Sequence, residues 1–217
     1  SLSLSLSLSL GTANTDSTEA IRLAIDAMEK KKVPYAIWSG PNSLSEIRDP
    51  RVKYQGSYIG MYMDMTRSSL SLSRPASEQL LISTVRERER FRDFDDVCVA
   101  CGLPSGAFQS IFSKLPERFI KDDSPIQCFI GYIGTARQPV VTGLLCLYSN
   151  IAGLYYLLCS PQHRDMGLGD VMISHIIDVA ITRGYRYITL LTDTGGQKAY
   201  ESNGFVSACS FRKYTRK

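Results

Sequence analysis

At 217 residues the chain has room for one large domain, or for one domain with a partial second. Hydrophobic residues at 44% against 21% charged exclude a disordered chain and require a full core. A net charge of +4, dispersed along the chain, makes no nucleic-acid-binding patch, and no apolar run reaches the roughly 18 residues of a membrane span.

Residues 1–10 are five Ser-Leu repeats, a regularity expected of an artificial or disordered leader over 1–15, and they lack the basic flank of a signal peptide. Asp16-Ser17-Thr18-Glu19 is a capping-box pattern. It opens a helix with Ile21, Ala24, Ile25 and Met28 on one face, running to about Lys32. Lys30-Lys31-Lys32 close it with cations at the negative end of the helix dipole. Tyr35 to Trp38 is a predicted strand with Trp38 in the core, residues 39–43 a turn, a short helix ends at Arg48, and Gly56 to Met65 is a second strand. Thr66 to Ser77 is Ser-rich and contains Pro75; residues 67–78 are therefore expected to be a linker between a piece at 16–66 and a domain at 79–217.

Leu80 to Val85 is apolar, and Arg86 to Arg90 gives an exposed start to a helix carrying Phe91, Phe94, Val97, Cys98 and Cys101. Residues 102–106 break it, and Ala107 to Leu115 is a second helix. Cys98 and Cys101 have redox-motif spacing but lie in the helical pattern, which makes them core thiols; with two His in the chain, no metal site is expected. Six cysteines inside apolar segments suit a reducing, cytoplasmic setting. Strands follow at Ile126–Gly134, Val140–Tyr148 and Leu154–Cys159. A helix from Gly169 to about Gly184 is expected to bury Val171, Met172, Ile176, Val179 and Ala180, with His175 as a core imidazole. Tyr185 to Thr192 is the next strand, and a short helix ends at Asn203-Gly204, two good left-handed C-cap residues, before Phe205 opens the last strand.

The stretch Cys159 to Val171 joins a strand to a helix through a Gly-rich turn, and backbone N–H groups at a helix N-terminus suit an anion such as pyrophosphate. A P-loop would need Lys-Ser or Lys-Thr where Asp170-Val171 stand. A dinucleotide fingerprint would need Gly at Met172. What remains is Arg164-x-x-Gly167-x-Gly169, followed at a distance by Tyr200-Glu201 and Asn203-Gly204-Phe205. Together these residues resemble the GNAT superfamily of acetyl-CoA-dependent N-acetyltransferases over about residues 85–215. The piece around Trp38-Ser39-Gly40-Pro41 and Met61-x-Met63-Asp64 resembles the degenerate GNAT-like half that precedes some catalytic domains.

The resemblance implies an α/β (α+β) fold: a mixed, mostly antiparallel central sheet with a splayed strand pair, flanked by helices and preceded by a smaller α/β piece. It implies that the loop Gln162, Arg164, Asp165, Met166, Gly167, Leu168 and Gly169 holds the pyrophosphate of coenzyme A. The backbone of Leu157, Leu158 and Cys159 would pair with the pantetheine arm, Asp193 and Gly196 would border the cofactor, and Tyr200 would be the general acid for the leaving thiolate. Two positions depart from the family: Asp193 stands where many relatives have Asn, and Gly196 replaces the usual Ala. Many relatives carry a Glu base on the strand before the cradle, whereas Leu154 to Ser160 contains no acid. The implied acceptor is an amine-bearing small molecule or peptide, with no nucleic acid or membrane partner. Other readings are an acyltransferase for a longer acyl-CoA, a non-catalytic CoA-binding regulatory module, and a scaffold whose N-terminal half binds a protein.

Overall fold

The computed structural model describes residues 17–32, 34–41, 46–66, 80–112 and 114–217. The expected leader, the Asp16 end of the capping box and the expected linker lie outside the described residues. The described residues form two compact units: those up to 61 with 191–202 and 206–217 in the first, and those between 62 and 190 with 203–205 in the second. The division differs from the expected boundary near 78, because the last strand of the expected 79–217 domain pairs with the N-terminal piece.

In the first unit, helix α1 (Ser17–Lys30) lays Ile21 and Ile25 against Tyr35, Ile47, Val52 and Tyr214. Strand β1 (Ala36–Ser39) runs antiparallel to the C-terminal strand β8 (Val206–Arg216), pairing Ala36 with Thr215 and Trp38 with Lys213. The Trp38 ring meets Tyr58 edge-on at 4.9 Å, and the Lys213 ammonium lies 5.4 Å over it, so Trp38 is half-buried between strands and not enclosed in the core. Strand β2 (Val52–Asp64) starts four residues earlier than its apolar pattern predicts, and residues 46–49 have no regular secondary structure where a short helix is expected.

Arg51 pins this unit together, donating to both Asp49 oxygens (2.9 and 2.7 Å) and to Asp26. Hydrogen bonding to Arg51 holds the Asp49 carboxyl down at about 2. A carboxylate lowered from about 3.9 stabilises the fold fully above that value and loses its contribution as pH falls toward 2. Thermal melting between pH 5 and 2 should therefore show an acid limb that is shallower in Asp49→Asn, the two proteins converging at the acid end; parallel curves would contradict this.

The second unit is built on strands β3 (Leu81–Thr84), β4 (Ile126–Ile133), β5 (Gln138–Tyr148), β6 (Ile151–Cys159) and the start of β7 (Tyr187–Asp193). They lie in the order β7-β6-β5-β4-β3, antiparallel throughout except for the parallel β6–β7 pair. The sheet is mixed and mostly antiparallel, as expected. On one face pack α2 (Phe91–Ala100) and α3 (Ala107–Phe112), where Phe94 and Phe108 stack at 4.0 Å over Cys128, Ile130 and Leu144. Asp95, only 5% exposed, accepts from the N–H groups of Gly106 (2.5 Å) and Phe108 (3.1 Å), so a residue of α2 caps α3. Tyr132 donates to Asp93 at 2.7 Å, tying α2 to β4, and burial with that bond pushes its phenol up to about 12.

Helix α4 (Leu168–Thr182) covers the opposite face. A side chain at Gly143 would stand 2.4 Å from Ile176 and 3.2 Å from Met172, so glycine on β5 is what lets α4 come close. Met172, Ile176 and Ala180 are buried as expected, but Val171 and Val179 are half-buried. Ile173 and Ile177 take their place, because the buried stripe 168/172/173/176/177/180 leaves 171 and 179 on its flank. His175 is half-buried, edge-on to Phe129 at 5.1 Å, and burial lowers its pKa. Cys98 is buried and its thiol is pushed up to about 12, whereas Cys101 lies just past the end of α2, half-buried.

Candidate active site

The site in the second unit grows from one irregularity in β6. Thr142 pairs with Leu158, but two residues on Leu144 pairs with Tyr155, so β6 carries one extra residue. That residue falls at Tyr156, whose φ of 48° is left-handed, and the Thr142 hydroxyl donates to its carbonyl at 3.0 Å. Successive strand residues normally point to opposite faces. The bulge instead puts Tyr155 beside Leu144 and turns Tyr156 toward Phe108 (5.2 Å) and Phe94 (6.4 Å), so two phenols share the face covered by α2 and α3. Both are partly exposed, and burial raises both pKa values.

Strand β6 also opens. Its parallel register with β7 covers Ile151↔Tyr187, Ala152↔Ile188 and Gly153↔Thr189. From Leu154 to Cys159 the pairing is with β5 on the other side, ending at Leu158↔Thr142 and Cys159↔Val141. This is the splayed strand edge the resemblance implies, and it carries Leu157, Leu158 and Cys159. The edge was expected to begin at Leu154 after a loop, but residues 151–153 are already strand.

At its end the chain is fixed by local and long-range hydrogen bonds. Ser160 N–H donates to Val140 O at 2.8 Å, its hydroxyl lies 2.7 Å from His163 Nδ1, and Cys101 Sγ and Cys159 Sγ donate to Cys159 O and His163 O, each at 3.3 Å. A single 3-10 turn, Pro161–His163, carries Gln162. Arg164 is extended, Asp165 (φ 63°) and Gly167 (φ 71°) are left-handed, and Gly167 is the N-cap of α4. The first intrahelical bond runs from Val171 N–H to Gly167 O, so the helix itself provides no acceptor for the N–H groups before it. Added Cβ atoms at Gly167 or Gly169 would meet nothing within 4 Å. Open space over a row of helix-terminal donors fits a pyrophosphate. Arg164, Asp165, Met166 and Gly167 are exposed along this turn, Gly169 is half-exposed, and Leu168 anchors the helix at 2% exposure.

The remaining expected residues come together in the first unit. Asp193 ends β7 and accepts from Gly196 N–H at 2.9 Å. Gly196 then leads into α5 (Gln197–Ser202), with Tyr200 N–H donating to Gly196 O at 3.3 Å. A side chain at Gly196 would stand 2.3 Å from the Thr192 hydroxyl, so the Ala that the resemblance implies would fit here only if Thr192 turned away. Tyr200 is half-buried; burial and then the Asp193 charge push its phenol up to about 12. Of the two expected left-handed caps, Gly204 adopts φ 87°, while Asn203 is absent from the left-handed residues and is 2% exposed.

Sequence reasoning missed the Tyr155–Tyr156 bulge, the Ser160–His163 bond and the use of Asn203. Two adjacent tyrosines inside an apolar strand were the available signal for the first. Among the described residues no cluster of His, Cys, Asp and Glu could hold a metal, and no helix is long and apolar enough to cross a membrane.

The acetyltransferase (GNAT) family matches residues 89–205, more than half of the chain. The chain belongs to the GNAT family. It is thus an acyltransferase, of a family that uses acetyl-CoA and acts on amine-bearing acceptors. No curated protein matches it in sequence. Solved structures share the fold at low identity. A functionally unknown conserved protein from Staphylococcus epidermidis superposes with a TM-score of 0.71 at 16% identity, over 94% of this chain and 82% of that one. A GCN5-related N-acetyltransferase from Sphaerobacter thermophilus gives 0.68 at 14%, over 92% and 67%. Another from Kribbella flavida gives 0.65 at 11%, over 93% and 75%.

Proposed function

We propose that this GNAT protein transfers the acetyl group of acetyl-CoA to a primary amine by direct attack in a ternary complex. The observation that carries the reading is the chain order along β6: an open strand edge from Leu154 to Cys159 runs straight into a left-handed turn and the N-terminus of α4. A thioester cofactor has the complementary order, an amide-bearing arm and then a pyrophosphate.

In this reading the backbone of Leu157, Leu158 and Cys159 pairs with the pantetheine arm. The N–H groups from Gln162 through Gly169, with Arg164, Asp165, Met166, Gly167 and Leu168 between them, hold the pyrophosphate; Asp193 and Gly196 border the cofactor. One helix terminus contributes about 0.3–2 kcal/mol, so these donors must share the binding. Acetyl-CoA supplies an activated acetyl group. A backbone N–H of β6 beside the bulge polarises the carbonyl to be attacked. Tyr200 holds a proton on its hydroxyl throughout the neutral range, because its pKa is about 12, and delivers it to the departing sulfur.

No acid stands between Leu154 and Ser160 to serve as base, which leaves the base unassigned and favours an acceptor that brings its own neutral amine or loses its proton through water. Neutralising a lysine amine at pH 7 costs roughly 4–5 kcal/mol, against roughly 1 for an α-amine. An acceptor with a low-pKa amine, on a small molecule or a peptide, is therefore favoured. Six free thiols suit a reducing, cytoplasmic setting, and residues 16–66 fit a degenerate GNAT-like half. The test follows thiol release from acetyl-CoA with α-amino and ε-amino acceptors at pH 7. Faster release with α-amines supports the reading. Cofactor binding without release to any primary amine would leave a CoA-binding regulatory module.

A further inference from the structure

Asn203, in the turn between α5 and β8, reaches back to the start of α4. Asn203 Nδ2 donates to Asp170 Oδ1 at 2.6 Å, within the second unit. Asn203 is 2% exposed, while Asp170 is on the surface. The position of that carboxylate is what makes the bond consequential. Gly167 is the N-cap of α4, so Leu168, Gly169 and Asp170 are its first three residues. An acidic side chain on the third residue is the one that reaches back to the N-cap N–H in a capping box. A swing of Asp170 onto that donor would place an anion in the same positive field that a pyrophosphate needs. In the structure Asp170 Oδ1 accepts from Asn203 instead, and the N-cap, Gly167, has no side chain of its own to offer those donors.

We propose that Asn203 is a positioning residue for the cofactor: its carboxamide holds the Asp170 carboxylate to the side, so the Gly167, Leu168 and Gly169 amides at the start of α4 stay available to the pyrophosphate. The proposal rests on the acetyl-CoA reading above. Asp170 keeps the favourable interaction of an acid with a helix N-terminus without occupying the donors at its mouth. The carboxamide suits this task because it donates to Asp170 without adding a charge of its own to the cradle.

Calorimetric titration of coenzyme A into wild type, Asn203→Leu, Asp170→Ala and the double variant tests this. Asn203→Ala is run in parallel in case leucine is not accommodated, and circular dichroism checks each fold. Asn203→Leu should weaken binding roughly tenfold, the scale of one competing charge at a helix terminus. Removing the carboxylate should abolish that loss: the double variant should bind within about twofold of Asp170→Ala alone. A purely structural role for Asn203 would give the same loss in both backgrounds, and that result overturns the proposal. So does undiminished binding in both Asn203 variants. A wild type that binds no coenzyme A overturns the acetyl-CoA reading and this inference with it, and the first titration alone distinguishes that case.

Discussion

Gly167→Glu should reduce acetyl-CoA affinity by roughly a hundredfold or more while leaving the protein folded. The two halves of that expectation come from different observations. A side chain at Gly167 meets nothing within 4 Å, so no packing is lost. Its φ of 71° makes any L-residue there cost about 1–2 kcal/mol, which a domain of this size tolerates. Binding suffers twice. The added carboxylate sits at the helix terminus where the pyrophosphate would lie, and at about 4 Å two like charges repel by about 4 kcal/mol at an effective dielectric of 20. The side chain also fills the open space over the turn. Calorimetry checks the affinity and circular dichroism the fold. A folded variant that binds like wild type would move the anion site away from this turn.

Tyr200→Phe should lower kcat by about 10²- to 10⁴-fold, the range for loss of a general acid, with the KM for acetyl-CoA little changed. The substitution keeps the ring and removes only the hydroxyl. Because burial pushes that hydroxyl up to about 12, wild-type kcat should show no loss of the acid form between pH 7 and 9. In that window an α-amine acceptor goes from mostly protonated to mostly neutral, so the rate should rise and level off near its pKa. An unchanged kcat in Tyr200→Phe would make Tyr200 a packing residue of α5, and the departing thiolate would have to be protonated by water.

The parts of this site that were legible in the sequence are those fixed by neighbours along the chain. Arg164-x-x-Gly167-x-Gly169 declares itself because a left-handed N-cap needs glycine and a long, mostly apolar segment follows it. Gly204 is legible for the same reason at the end of α5. What was not legible depends on partners distant in sequence. The Tyr156 bulge exists because β5 and β6 pair with one residue unmatched, and nothing in Leu154 to Cys159 marks where the extra residue falls. The pairing of β8 with β1 joins residues about 180 positions apart, so no local pattern placed the last strand with the N-terminal piece. Asn203 reads from sequence as a helix cap; only its burial beside Asp170 shows that the carboxamide serves another helix. At Gly196 the departure from the resemblance goes with the Thr192 hydroxyl lying where a methyl would stand, a neighbour four residues back that no pattern announces.

The most direct measurement is the calorimetric titration of acetyl-CoA into the wild-type protein. Saturable binding to one site, weakened as salt screens the pyrophosphate contacts, is the predicted result. No heat of binding and no acetyl-CoA-dependent shift in melting temperature would contradict the account, leaving a GNAT fold whose open strand edge and helix terminus serve some other ligand.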